Sequence, residues 1–139
     1  MKRILGLDHG DRRIGLALSD PLQIIAKPFK TLDLLNHKNI FKTINDIVIE
    51  NNIESIVVGY PLTLQNDLSI QTEKVLKFVT ELKKNVSIDV FLYDERLSSN
   101  IAKKSLISQG IKTGHNKDEI DKTAAALFLQ SYLNRYAAK

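Results

Sequence analysis

Residues 3–20, RILGLDHGDRRIGLALSD, hold two short apolar runs on either side of a cluster of turn formers. Ile4 to Leu7 predicts a strand that stops at Asp8-His9-Gly10-Asp11, and Arg13 to Leu18 predicts a second strand beyond it. The Ser19-Asp20-Pro21 turn then leads to a third, Ile24 to Leu32. Strands this close in sequence join as an antiparallel meander. Asp8 therefore follows a strand that should be central, with Gly6, Gly10 and Gly15 placed to let a backbone or a phosphate come close. An Asp here serves equally well as a plain turn former, and these residues alone do not decide between the two.

Downstream the apolar period changes. From Asn36, Ile40, Ile44, Ile47 and Val48 recur at helical spacing up to Asn51-Asn52. IESIVVG (53–59) predicts a buried strand, and Ile70 to Lys84 a helix with Val75, Leu76, Phe78, Val79 and Leu82 inward. Val86 to Tyr93 predicts a strand, Ser98 to Gln109 a helix, and Gly110 to Lys117 a polar loop. A last helix runs from near Asp118 to about Arg135, opened by Asn116 and Glu119 at capping-box spacing. Strands alternating with helices after a meander call for right-handed crossovers. The expected architecture is α/β, a mixed five-stranded sheet (the meander plus parallel strands) with helices on both faces. No repeat or linker divides the chain, so residues 1–139 are expected to form one domain.

Composition narrows the function classes. The chain is 43% hydrophobic and 26% charged, without an apolar run of membrane-spanning length. Met1-Lys2-Arg3 resembles a signal-peptide start, but the apolar stretch behind it ends at Asp8, so secretion is not expected. Cysteine is absent, which excludes disulfides and thiolate metal sites and fits a cytoplasmic location. The net charge of +4 is compatible with a nucleic-acid partner, and Arg12, Arg13, Arg96, Lys103, Lys104, Lys117 and Lys122 lie near candidate acids. A membrane partner is not expected, and monomer and weak dimer both remain open.

In sheets of this kind ligands gather at the carboxyl ends of parallel strands, where Asp8, Gly59 and Glu95 fall. Asp94 and Glu95 stand between a strand and a helix. Acids there complement a helix dipole, and Ser98 or Ser99 can cap it, but Arg96 is unfavourable at a helix N-terminus and needs an anionic partner. Asp121 shares a helical face with Ala125, Phe128, Leu129, Tyr132 and Tyr136. An acid on a packing face needs a partner, a proton or a metal, although the first helical turns also favour acids. Converging carboxylates repel one another unless cations neutralise them, and all-oxygen sites suit Mg²⁺ or Mn²⁺. Two such ions, roughly 3.5–4 Å apart, support phosphodiester hydrolysis. His9, His37 and His115 lack metal-ligand spacing, and His9 is expected to be a solvated turn residue. No P-loop, dinucleotide or G-x-S-x-G fingerprint occurs.

Four segments, GLDHGDRRIGLALSD (6–20), VVGYPLTLQND (57–67), YDERLSS (93–99) and IDKTAAALFLQSYL (120–133), make the chain similar to the YqgF family of pre-16S rRNA nucleases, also labelled Holliday junction resolvases. The resemblance implies a ribonuclease H-like fold, metal-dependent nuclease activity and cytoplasmic maturation of the 5′ end of 16S ribosomal RNA. It carries catalytic and metal-binding roles onto Asp8, Glu95 and Asp121, with Asp94 a neighbouring competitor. It makes Arg13, Arg96, Ser98 and Ser99 substrate or support positions. One departure is Gln65-Asn66-Asp67, where a turn Gly is expected. The implied partner is pre-rRNA, with structured DNA as the sibling substrate. Only Tyr60 and Tyr93 are aromatics near the site, so contacts mainly to phosphate and sugar are expected. Two other classes compete: an actin-like or sugar-kinase ATPase, which would need a second such domain, and an inert RNA-binding assembly factor.

Overall fold

The computed structural model describes residues 2–10, 12–35, 39–60, 70–94 and 117–136. Five strands, β1 (Arg3–His9), β2 (Arg13–Ser19), β3 (Ala26–Asp33), β4 (Ile53–Tyr60) and β5 (Asp89–Asp94), form one sheet in the order β3-β2-β1-β4-β5. β1–β2 and β2–β3 are antiparallel, β1–β4 and β4–β5 parallel, so the meander and the parallel half meet at β1. The helices are α1 (Ile40–Glu50), α2 (Ile70–Asn85) and α3 (Lys117–Tyr136). The expected helix at 98–109 and the turn at 65–67 lie outside the described residues.

Both faces of the central strands are buried, which is why ILGL and IVV read as continuous apolar runs rather than alternating ones. Leu5, Leu7, Ile14, Leu16, Ile56 and Val58 point to the face covered by α1 and α2, where Ile44, Ile47, Val75, Phe78, Val79 and Leu82 meet them. Ile4, Ala17, Val57 and Tyr93 point the other way, onto Ala125, Phe128, Leu129 and Leu133 of α3. Asn39 caps α1, its side chain accepting from the Lys42 amide at 3.1 Å, and Asn52 leaves the helix with φ 54°, a conformation Asn tolerates.

Several boundaries move from their sequence positions. β1 continues through Asp8 and His9, so Asp8 is a strand residue and not a turn former. The turn is closed by the Gly10 amide on the Arg13 carbonyl at 2.8 Å; a Cβ at Gly10 would stand 2.9 Å from that oxygen, which makes glycine necessary there. β3 starts at Ala26 instead of Ile24. The Asp20 carboxylate gathers the amides of Leu22, Ile24 and Ile25 into a loop first, and Ile24 and Ile25 stay exposed. Pro28 sits where the β2–β3 register shifts, because it has no N–H for the ladder and is tolerated only on an edge strand. β5 begins at Asp89 and not Val86: the Val86 amide still bonds back to Leu82 at the end of α2, and Val86 and Ile88 pack on the core from outside the strand.

Candidate active site

Strand alternation sets the site. On β1, Ile4, Gly6 and Asp8 share the α3 face, while Leu5, Leu7 and His9 share the other. Asp8, half-buried, stands opposite Gly15 on β2. The parallel register pairs Leu7 with Val58, and its next step brings Gly59 beside Asp8 on the same face as Val57. The residue two before Asp8 on this face is Gly6. Asp8 is thus bordered along its own strand and across both neighbouring ones by glycine, with no side chain to crowd or cover it from within the sheet.

The same glycines let α3 come down close. A Cβ at Gly6 would meet the Leu129 Cβ at 3.0 Å, so the helix lies on the strand backbone. The direction of α3 follows from Gln130, which accepts from the Ala26 amide at 2.8 Å and donates to the Ile24 carbonyl at 2.8 Å, at the rim opposite Asp8. Upstream residues of α3 therefore extend toward the carboxyl rim of β1. The helix rises about 6 Å from Leu129 back to Ala125, close to the two-residue step from Gly6 to Asp8. Asp121 belongs to the next turn out, its side chain outside the described residues.

Arg13, the first residue of β2, shares the face of Gly15 and Ala17 and so the face of Asp8; Arg12 beside it is exposed, 3.6 Å through Nε from Asp33. Glu95, Arg96, Ser98 and Ser99 lie outside the described residues. Their neighbour Asp94 ends β5, and because Tyr93 packs onto α3 against Ser131, Tyr132 and Tyr136, Asp94 is turned to the α1–α2 side, away from Asp8. His9 is not a solvated turn residue. Its ring packs 4.6 Å from Phe78 on the opposite face from Asp8. Among the described residues no three His, Asp or Glu side chains cluster. No described helix is long and apolar enough to cross a membrane.

The sequence-based expectation missed one feature, the gathering of Phe91, Tyr132 and Tyr136 around Tyr93 at the β5 edge. The i, i+4 spacing of Tyr132 and Tyr136 and the i, i−2 spacing of Phe91 from Tyr93 were the available signals.

Solved structures share this arrangement at low identity. RuvC of Thermus thermophilus, in complex with Holliday junction substrate, superposes with TM-score 0.58 at 15% identity, covering 96% of this chain and 94% of that one. The fowlpox virus resolvase in complex with Holliday junction DNA gives 0.56 at 14%, covering 95% and 97%. The fold is therefore ribonuclease H-like, with an acid at the carboxyl end of its central strand. Curated relatives named "Putative pre-16S rRNA nuclease" are closer in sequence: one from Clostridium tetani (strain Massachusetts / E88) is 42% identical over 95% of this chain and 96% of its own length. Another, from Sulfurihydrogenibium sp. (strain YO3AOP1), is 39% identical over 97% and 92%. The class is a nuclease, a hydrolase of phosphodiester bonds. Within it the chain belongs to the RuvX family, described as Holliday junction resolvase, whose model matches residues 2–135.

Proposed function

We propose that this protein is a metal-dependent nuclease that processes the 5′ end of pre-16S ribosomal RNA in the cytoplasm. The observation that carries the reading is the setting of Asp8: a half-buried carboxylate at the carboxyl end of the central parallel strand, bordered by Gly6, Gly15 and Gly59, under a helix whose first turns contain Asp121. The names of the relatives supply the RNA substrate.

The donor set fits a hard cation. The chain has no cysteine, and the adjacent His9 is on the other side of the sheet, so the face offers carboxylate oxygen, suited to Mg²⁺ or Mn²⁺. Asp8, Glu95 and Asp121 would hold the ions. When bound, these supply Lewis-acid activation of water and stabilisation of the leaving oxygen. Glu95 takes this role over Asp94 because Asp94 points away from the face of Asp8. Arg13, on that face, is placed to pair with a substrate phosphate, and Arg96, Ser98 and Ser99 are assigned the same work from the segment after β5. The glycines let the sugar–phosphate backbone approach the strand without lifting over side chains.

The test is cleavage of a 5′-extended 16S precursor fragment and of a four-way DNA junction, each with Mg²⁺, Mn²⁺ or excess chelator. Metal-dependent trimming of the RNA, lost in Asp8→Asn and in Glu95→Gln with the fold intact, is the expected result. Cleavage that survives chelation, or an unchanged rate in the double variant, would sink the proposal. Holliday junction resolution is the second reading, favoured by the family description and by the RuvC-like fold. Symmetric junction cutting with the RNA left whole would select it.

A further inference from the structure

The sheet row that contains Asp8 ends in an aromatic cavity. Gly59, beside Asp8, pairs with Tyr93, so two strand spacings, roughly 10 Å, separate Asp8 from Tyr93 with only a glycine between. Tyr93 is buried, its hydroxyl 2.9 Å from Ser131 Oγ and its ring edge-on to Tyr132 and Tyr136 at 5.5 and 6.0 Å. Beside it, Phe91, Tyr93, Asp94, Tyr132 and Tyr136 line a cavity of about 440 Å³. Its rim is open: Phe91 is 44% and Tyr136 58% exposed, an unusual concentration of aromatic surface for one sheet edge.

We propose that this cavity binds an unpaired nucleobase of the substrate strand, a short way along the backbone from the phosphate at Asp8; the proposal rests on the nuclease reading above. Three features commit the cavity to that occupant. It lies on the face and in the row of Asp8, so a strand crossing Asp8 and Gly59 runs straight to it. Its open rings present π-faces, and stacking on aromatics tolerates any base, as an enzyme acting on one strand at a structural boundary requires. Its volume falls within the range that encloses a small planar ligand. Burial first, then the neighbouring Tyr136, raises the Tyr132 phenol above its ordinary range, so the cavity presents a neutral hydroxyl that can donate to a base edge.

The experiment uses the whole protein and single-stranded RNA and DNA oligonucleotides carrying 2-aminopurine at one position in turn, with Ca²⁺ replacing Mg²⁺. Anisotropy reports binding and 2-aminopurine emission reports stacking. Quenching confined to one or two neighbouring positions is expected, kept in Tyr136→Phe, and lost in Tyr136→Ala and Phe91→Ala with binding weakened by about tenfold. Quenching in both oligonucleotides assigns the base regardless of sugar, and in one alone names the sugar. Binding without position-specific quenching, or quenching unchanged by Tyr136→Ala, overturns this proposal and leaves the nuclease reading standing. A fall of several degrees in Tm for both alanine variants with quenching untouched assigns the cavity to the chain's own packing and overturns it. So does dimerisation lost in Tyr136→Ala, which assigns it to a second copy. No binding of either oligonucleotide removes both readings together.

Discussion

Asp8 stands directly opposite Gly15 in the β1–β2 ladder, so the acid at the end of the central strand faces a position without a side chain. Gly6 and Gly59 extend that absence along and across the sheet. The consequence is an acid whose surroundings can be filled by substrate and ions.

Asp8→Asn should abolish metal-dependent cleavage while changing stability by no more than about 1 kcal/mol, since the side chain is half-buried and the substitution keeps its shape. Cleavage assays beside urea unfolding of the same preparation test both halves of the statement. A large stability loss would make Asp8 a structural residue.

Gly6→Ala should destabilise by roughly 1–3 kcal/mol, because the new methyl meets the Leu129 Cβ, an atom tied to the helix backbone that cannot swing aside. Denaturant unfolding measures it. Lifting α3 should also weaken Mn²⁺ binding, read by calorimetry on the folded variant.

Gln130→Ala should cost about 1–2 kcal/mol, since it leaves the Ala26 amide and the Ile24 carbonyl without their bonds to α3. Hydrogen exchange should speed up at the Ala26 amide, while core amides such as those of Leu5 and Val57 slow or quicken only with global stability. Equal acceleration everywhere would refute a local clamp.

The acid limb of stability should carry a contribution from Asp20. The Ile25 amide, then those of Ile24 and Leu22 and its own, hold its carboxyl below the ordinary value of 3.8, against a smaller opposing effect of burial. With the folded pKa below the unfolded one, this stabilisation is complete above pH 3.8 and fades as pH falls through the folded value. Tm against pH should therefore show wild type above Asp20→Asn at pH 6, with the two curves converging below pH 3.8. Parallel curves down to pH 2 would contradict this.

The aliphatic runs at residues 4–7, 14–18 and 53–59 were enough to read the strands, and the i, i+4 phase of Ala125 and Leu129 the buried face of α3. Positions governed by distant partners were not legible. β3 starts late because Asp20 collects three amides before the ladder begins, and His9 turns from solvent to Phe78, nearly seventy residues away. The alternatives left open for Asp8 and for the Asp94–Glu95 pair closed the same way: the ladder made Asp8 a strand residue, and the packing of Tyr93 on α3 turned Asp94 from its face.

By itself the sequence determined an acid at the end of a central strand, flanked by glycines, within an alternating α/β chain, because strand and helix periods are local properties of side-chain spacing. Only the tertiary structure decided that Gly15 and Gly59 come from different strands to border that acid, and that Phe91, Tyr93, Tyr132 and Tyr136 share one cavity in its row. Register across a sheet and the height of a helix above it are set by contacts between residues far apart in the chain, such as Gly6 with Leu129, which no local spacing encodes.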